Sequence, residues 1–399
     1  MKALPGPLRL ALAFAATAVV ALGTAQPARA QAAPGVTATE IRIGAIGPAS
    51  GPNYIYGRLP LNGVEAVIEK VNQAGGVNGR KLTLVRQDDQ CDPATSIAVS
   101  RRLIHSEKVF AIIGSGCSNA MLAMKPEIIQ TGTPLINIVA AADSIANPPV
   151  KNIFTTNLSS ALESRAQVQY AVESGAKRIA IISLHDAWGR DRYNPMMQEL
   201  KRRGIVPVAD EEITADANTA TAQILKIKAA NADAVMLLTY SKPTAIILRD
   251  AARLRFTPAM IATSAVADPV AVNEQVATPG ATDKFVTISP VRYTPSSPEA
   301  AEWKQRLERL FPNDNLSAFN LFGVGGAQVI VEALRRAGPD LTQEKFLAAL
   351  GSIKNLSVDV FPPGSVSCNA PLDHRCTRTV AWMRAKDGRA EVLATTKVD

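Results

Sequence analysis

The densest run of chemically usable residues is Gly114-Ser115-Gly116-Cys117-Ser118-Asn119, which follows an apolar stretch and opens a segment of helical period. It falls one glycine short of a dinucleotide fingerprint, because Asn119 stands where the third glycine belongs. What survives is anion chemistry: N–H groups at a helix N-terminus and the Ser118 hydroxyl both favour a small negative group. The same residues also suit a plain helix start capped by Ser118. Catalytic runs are missing from the sequence, which holds no Gly-x-Ser-x-Gly, His-Glu-x-x-His or Gly-x-x-x-x-Gly-Lys. Ser174-Gly175-Ala176-Lys177 spells Ser-x-x-Lys, but Gly175 reads as a helix terminator, so Ser and Lys would not share a helix face. Of the three histidines, His105, His185 and His374, only His185 sits at the end of an apolar run, beside Asp186 and without a nucleophile. No enzyme is expected.

The cysteines become readable once the N-terminus is. Lys2 and Arg9 precede the apolar run Leu10–Leu22, and Ala28-Arg29-Ala30 offers small residues for cleavage. These are the three parts of a secretory signal peptide, cut near Ala30. Gly23-Thr24-Ala25 is a second possible cut. The run is too short for a stable membrane anchor, no later stretch reaches about eighteen apolar residues, and no cysteine follows it to carry lipid. An exported, unanchored chain is expected, in an oxidising compartment where Cys91, Cys117, Cys368 and Cys376 can pair. Three pairings exist. Adjacent parallel strands would bring Cys91 to Cys117, and the short segment with Pro371 would close Cys368 onto Cys376. Zinc on Cys368, His374 and Cys376 is the competing reading, and neither metal nor cofactor is expected.

Composition bounds the rest. The 399 residues are 47% apolar and 20% charged, a globular composition of about two domains. The net charge of +8 falls to +5 without Lys2, Arg9 and Arg29, and the excess is dispersed apart from Lys201-Arg202-Arg203. A nucleic-acid partner is therefore not expected, since phosphate tracking needs clustered cations.

Short apolar runs alternate with helical segments along the chain. Strands are expected at Ile41–Ile46, Lys81–Val85, Val109–Gly114 and Pro134–Val139, then again at Arg178–Leu184, Ile205–Val208, Ala234–Thr239 and Ala259–Thr263. Helices are expected between them, including Gly57–Ala74, Asn119–Gln130, Ala161–Ser174 and Pro195–Arg203, with later ones near Pro298–Phe311, Ala318–Ala337 and Thr342–Leu350. Such repetition means an α/β protein with two doubly wound parallel-sheet lobes. The segments after Pro290 do not make a third core and are expected to return to the first two, giving a multi-crossover hinge. The expected division is a signal peptide at 1–30, a first lobe of 31–157 plus about 288–365, and a second of 158–287 plus about 366–399. Ligands of open parallel sheets bind beyond the carboxyl ends of the strands. Aromatic residues are 5% of the chain, yet Tyr54, Tyr56, Trp188 and Tyr240 all fall in those loops.

The runs Gly47-Pro48-Ala49-Ser50-Gly51-Pro52, Tyr56-Gly57, Asn72-Gln73-Ala74-Gly75-Gly76-Val77-Asn78-Gly79, Asp88-Asp89-Gln90-Cys91-Asp92-Pro93 and Gly116-Cys117-Ser118 carry a family resemblance. Together they resemble the periplasmic leucine/isoleucine/valine-binding proteins, the solute receptors of branched-chain amino-acid ABC importers. The likeness covers nearly all of the chain after the leader and weakens beyond about Pro290. It implies a type I periplasmic-binding fold, three crossovers, closure of the lobes on a ligand, a Cys91–Cys117 bridge and a transient permease partner in the inner membrane. By the same resemblance Ser118 binds the ligand carboxylate, Tyr56 lines the cleft, and the backbone of Val139, Ala140 and Ala141 meets the ligand. Trp188, Tyr240 and Phe319 match further aromatic positions. Two positions depart from the pattern: Ala141 replaces a Thr and Ser264 a Glu that clamp the ammonium in amino-acid-binding members. A buried ammonium without a carboxylate partner costs several kcal/mol. The expected ligand is thus an aromatic or bulky apolar organic acid lacking an α-amino group. The alternatives are a true amino-acid ligand with Asp143 or Asp186 holding its ammonium, or a periplasmic ligand sensor.

Overall fold

Apolar runs without alternation must be covered on both faces, and these runs are. The computed structural model describes residues 1–2, 33–114, 116–368 and 370–398; the expected leader's apolar run and cleavage site lie outside them. The first sheet is formed by β1 (Glu40–Ile46), β2 (Lys81–Gln87), β3 (Ala111–Gly114), β4 (Leu135–Asn137) and β5 (Ile153–Thr155), parallel and in the order β2-β1-β3-β4-β5. Its helices are α1 (Arg58–Gln73), α2 (Pro93–Arg101) and α3 (Ser118–Thr131). Ile41, Ile43 and Ala45 pack into one core and Ile46, Ile112 and Leu135 into another, one on each face.

From β5 the chain crosses through α4 (Ser160–Glu173) to a second sheet built on β6 (Ile179–Leu184). There follow α5 (Ala187–Arg202), β7 (Ala209–Ile213), α6 (Thr221–Ala229), β8 (Ala234–Leu238), α7 (Ser241–Arg253), β9 (Ala259–Ala262), α8 (Pro269–Val276) and β10 (Phe285–Ser289). Again the strand faces divide: Ala180, Ile182 and Leu184 enter one core, Ile179 and Ile181 the other. After β10 the chain recrosses with α9 (Ala301–Leu310), α10 (Ala318–Ala337) and α11 (Gln343–Gly351), whose apolar faces join the first core together with Cys368 and Cys376. It crosses a third time into the antiparallel pair β11 (Thr379–Lys386) and β12 (Arg389–Lys397), completing the order β12-β11-β10-β9-β8-β6-β7.

Close helix packing places the returning segment. A Cβ on Gly63 of α1 would lie 1.9 Å from the Asn320 carbonyl oxygen, and one on Gly323 of α10 would lie 1.8 Å from that of Pro60. Only hydrogen fits at either crossing. Asn320 also donates from Nδ2 to the Leu59 carbonyl at 2.7 Å, locking the start of α10 to the start of α1.

Three expectations need correction. Helix α5 begins at Ala187, with Pro195 inside it, because Asp186 caps it by accepting from the Gly189 N–H at 2.7 Å. The strand expected at Ile205–Val208 is instead β7, four residues on, and Val206 is 83% exposed. Strands β5 and β10 add to the expected set; β5 is only three residues long.

Candidate functional site

In each sheet the strand order reverses direction between two neighbours, β1 and β3 in the first, β6 and β8 in the second. Loops at such a point diverge and leave a crevice. The two crevices face one another across a cavity of about 440 Å³, within the range for a small-molecule site. The structure brings Tyr56, Ser118, Val139, Ala140, Ala141, Trp188, Tyr240, Ser264 and Phe319 together on its wall.

The first-lobe wall centres on the start of α3. Gly116, Cys117, Ser118 and Asn119 line the cavity there. Cys117 is bonded to Cys91, which anchors the loop after β3 to the loop after β2. Buried Asp89 accepts from the Cys91 N–H at 3.1 Å and the Ser96 hydroxyl at 3.0 Å, and Asp88 accepts from Ala49 N–H at 2.9 Å, tying in the loop after β1. Ser118 Oγ accepts from the Ala142 N–H at 3.1 Å, which leaves its own proton to donate. The small segment after β4 is set by Asn137, whose Nδ2 donates to the Ala140 carbonyl at 2.6 Å and whose Oδ1 accepts from Ala140 N–H at 3.0 Å. Ser160 N–H donates to the Ala141 carbonyl at 2.7 Å, and Asn157 Nδ2 donates to the Val139 carbonyl. Much of the polar backbone of 139–141 is therefore spent within the protein.

Aromatic rings cross from lobe to lobe. Phe319 meets Phe322 at 5.0 Å and takes Tyr56 edge-on at 5.0 Å; Tyr56 lies 5.8 Å from Tyr240, which leans on Trp188 at 4.3 Å. Such offset contacts are the favoured ring geometry. Burial holds both phenols, Tyr56 and Tyr240, above their ordinary range, so each remains a neutral hydrogen-bonding group.

Beyond Trp188 lies what sequence reasoning missed. Arg192, one helical turn on, stacks its guanidinium 3.6 Å from the Trp188 ring centroid and lines the cavity with Asp191. Behind it stands Glu163 of α4, 1% exposed, with its Oε2 3.8 Å from Arg192 Nε; Ser264 donates its hydroxyl to the other carboxylate oxygen. Burial pushes the Glu163 carboxyl up, partly offset by Arg192 and Ser264; it likewise raises Asp191, with Arg192 opposing. The available signal was the i, i+4 spacing from Trp188 to Arg192.

Other candidates sit elsewhere. Asp143 accepts from Arg375 Nη1 at 2.8 Å and from Asn147 Nδ2 at 2.5 Å, away from the cavity wall. Asp186 does line the cavity, but its carboxylate caps α5. His185 pairs with Glu212 at 2.6 Å rather than with Asp186. Cys368 is bonded to Cys376, and His374 turns to the Ile153 carbonyl at 2.9 Å, so the zinc set has no thiolates to offer. Among the described residues no helix is long and apolar enough to cross a membrane.

Two divided sheets, three crossings and a ring-lined cleft are the architecture of a solute receptor, and the family model described as "Periplasmic binding protein" matches residues 40–390. The chain belongs to the periplasmic binding protein family. Its relatives include proteins of the branched-chain amino-acid-binding type. It is 26% identical over 322 residues to "Leu/Ile/Val-binding protein homolog 7" of Brucella abortus, covering 77% of this chain and 79% of that one. It is 29% identical over 205 residues to an "Amino acid binding protein" of Pseudomonas aeruginosa, a match that spans 49% of this chain and only 53% of the relative. Its fold matches a branched-chain amino-acid transporter substrate-binding protein of Streptococcus pneumoniae solved with isoleucine, at a TM-score of 0.72 and 20% identity, covering 90% and 99% of the two chains. It equally matches a solute-binding protein of Rhodopseudomonas palustris BisB5 solved with 3,4-dihydroxybenzoic acid, at a TM-score of 0.74 and 20% identity, covering 90% and 98%.

Proposed function

We propose that this periplasmic binding protein is the exported receptor of an ABC importer and captures a small organic acid lacking an α-amino group. Export follows cleavage near Ala30, and the lobes divide near residues 158 and 288 and, since Val366, Cys368 and Cys376 pack in the first core, near 377 rather than 366. Ser118 and the start of α3 take the carboxylate, while Tyr56, Trp188, Tyr240 and Phe319 enclose an aromatic or bulky apolar body. Val139, Ala140 and Ala141 give a close-fitting wall of small residues. Loaded, the closed lobes present a surface that an inner-membrane permease reads.

The observation that carries this reading is the Arg192 guanidinium on the second-lobe wall, buried and stacked on Trp188. An α-ammonium there would face a like charge in a low dielectric, and neither Ala141 nor the engaged Ser264 hydroxyl offers it a free acceptor. The Rhodopseudomonas neighbour's aromatic acid supports the same class. A second reading is favoured by Asp191, whose Oδ2 is buried without a hydrogen-bond partner: an amino acid with its ammonium on Asp191.

Thermal unfolding of the chain from Gln31 separates the two. Leucine is set against 4-methylvalerate, and phenylalanine against 3-phenylpropionate. A ligand at a hundred times its dissociation constant adds about 2.7 kcal/mol. Shifts of several degrees with the acids and none with the amino acids are expected. A shift with leucine or phenylalanine alone, lost in Asp191→Asn, overturns the reading in favour of the second.

A further inference from the structure

We propose that the second-lobe end of the cavity is a hydroxyl site, in which Arg192 and Asp191 together receive a hydroxyl group carried by the ligand at the end remote from its carboxylate. The solute class is then a hydroxylated aromatic acid. This rests on the carboxylate-receptor reading above.

The argument starts from unused hydrogen-bonding capacity. The Arg192 side chain is only 5% exposed, yet its Nε and Nη1 have no hydrogen-bond partner, and the nearest carboxylate oxygen, on Glu163, stands 3.8 Å away. That is beyond hydrogen-bond distance. Asp191 Oδ2 is buried and has no donor at hydrogen-bond geometry, although the nearby Ser160 hydroxyl also favours its charged form. Both residues line the cavity. Buried polar groups are almost always satisfied, so two such groups on one cavity wall call for a partner from the cavity side.

The chemistry of that partner follows by elimination. A ring C–H or methyl leaves both groups unmet. A second carboxylate would satisfy Arg192 but meet Asp191, with Glu163 behind. An ammonium would satisfy Asp191 but meet Arg192. A hydroxyl accepts from the guanidinium with one lone pair and donates its proton to the carboxylate, satisfying both without adding charge. Hydrogen bonds to ionised partners are the stronger kind. A water can hold this place in the free protein, and a ligand hydroxyl reproduces its bonds on displacing it.

Rings of Tyr56, Tyr240 and Trp188 lead in successive contacts from the first-lobe wall, which also carries Ser118, to Arg192 on the second. A site built to bond a hydroxyl rejects the analogue that lacks it far more strongly than a greasy pocket rejects a missing methylene.

Calorimetric titration of the chain from Gln31 tests this with two series: benzoate against 3- and 4-hydroxybenzoate, and 3-phenylpropionate against 3-(4-hydroxyphenyl)propionate. At least one hydroxylated member is expected to bind ten-fold or more tightly than its parent. In Asp191→Asn the ratio of hydroxylated to parent affinity shrinks several-fold. The double variant Glu163→Leu/Arg192→Met, which removes both charges together and so avoids an orphaned one, should abolish the advantage. Equal affinity for parents and hydroxylated acids overturns the hydroxyl site and leaves the carboxylate reading intact. So does an advantage that persists in both variants. Failure of every acid to bind, with binding of the amino acids, overturns the underlying reading and the inference with it.

Discussion

Glu163 is 1% exposed and is compensated by Arg192 at 3.8 Å and by the Ser264 hydroxyl. Glu163→Ala strands the guanidinium, and such a loss costs about 3–5 kcal/mol; urea denaturation of the ligand-free protein should show it, with most of the loss restored in Glu163→Leu/Arg192→Met. The acids also set a pH dependence. Burial raises the Asp191 carboxyl above its ordinary range, so the fold binds its proton more tightly than the unfolded chain does. Its contribution to stability is therefore present below about pH 4, the unfolded value, and is lost as pH rises through the raised value. Urea midpoints between pH 4 and 7 should fall less steeply in Asp191→Asn than in the parent; identical slopes would contradict the assignment. Sequence reading reached Tyr56, Ser118, Trp188 and Tyr240 because they sit at strand ends, where position alone predicts exposure to a cleft. Asp191 and Arg192 escape it because Pro195 is a favoured helix-start residue, which points to a helix beginning after both. Glu163 was hidden for another reason: one acid in an amphipathic helix gives no sign that its face is buried.

Helix α5 shows how an element aims chemistry. Its Asp186 cap starts the helix early enough to put Trp188 and Arg192 one turn apart. Asp186→Ala removes a cap worth about 1 kcal/mol and lets the first turn fray; ligand affinity should fall several-fold while urea stability drops by no more than that figure. The packing of α1 on α10 is less forgiving. Gly323→Ala drives a methyl into the Pro60 carbonyl, 1.8 Å away, and overpacking of this kind costs about 1–3 kcal/mol or more. It should lower the urea midpoint and also loosen the anchoring of Phe319 and Phe322 at the cavity. Long amphipathic helices such as α1 and α10 were legible from their period. Strand β7 was not, because its residues Ala209-Asp210-Glu211-Glu212-Ile213 form a half-exposed edge of the sheet. The apolar run just before it drew the assignment instead, though Val206 is 83% exposed. Turn-bounded three-residue strands such as β5 carry too few residues to show any period.

At the scale of the molecule, the two-sheet architecture followed from repeated strand–helix units, and the return of the chain from the shortage of strands after Pro290. The antiparallel pair β11–β12 at the sheet edge extends that plan without altering it. Three crossings make a hinge: 155–157 runs beside 374–377, with Thr155 N–H donating to the His374 carbonyl at 3.0 Å and Cys376 N–H to the Thr155 carbonyl at 2.8 Å. The Tyr56–Tyr240 contact across the cleft is that of lobes drawn together. A receptor of this kind signals by shape, since only a ligand that touches both walls shifts the balance toward closure. Small-angle X-ray scattering of the chain from Gln31, alone and with saturating 3-(4-hydroxyphenyl)propionate or phenylalanine, tests the central claim most directly. The radius of gyration should fall with the hydroxy acid and stay unchanged with phenylalanine. Contraction with phenylalanine alone, or none with an acid shown to bind, would contradict the account.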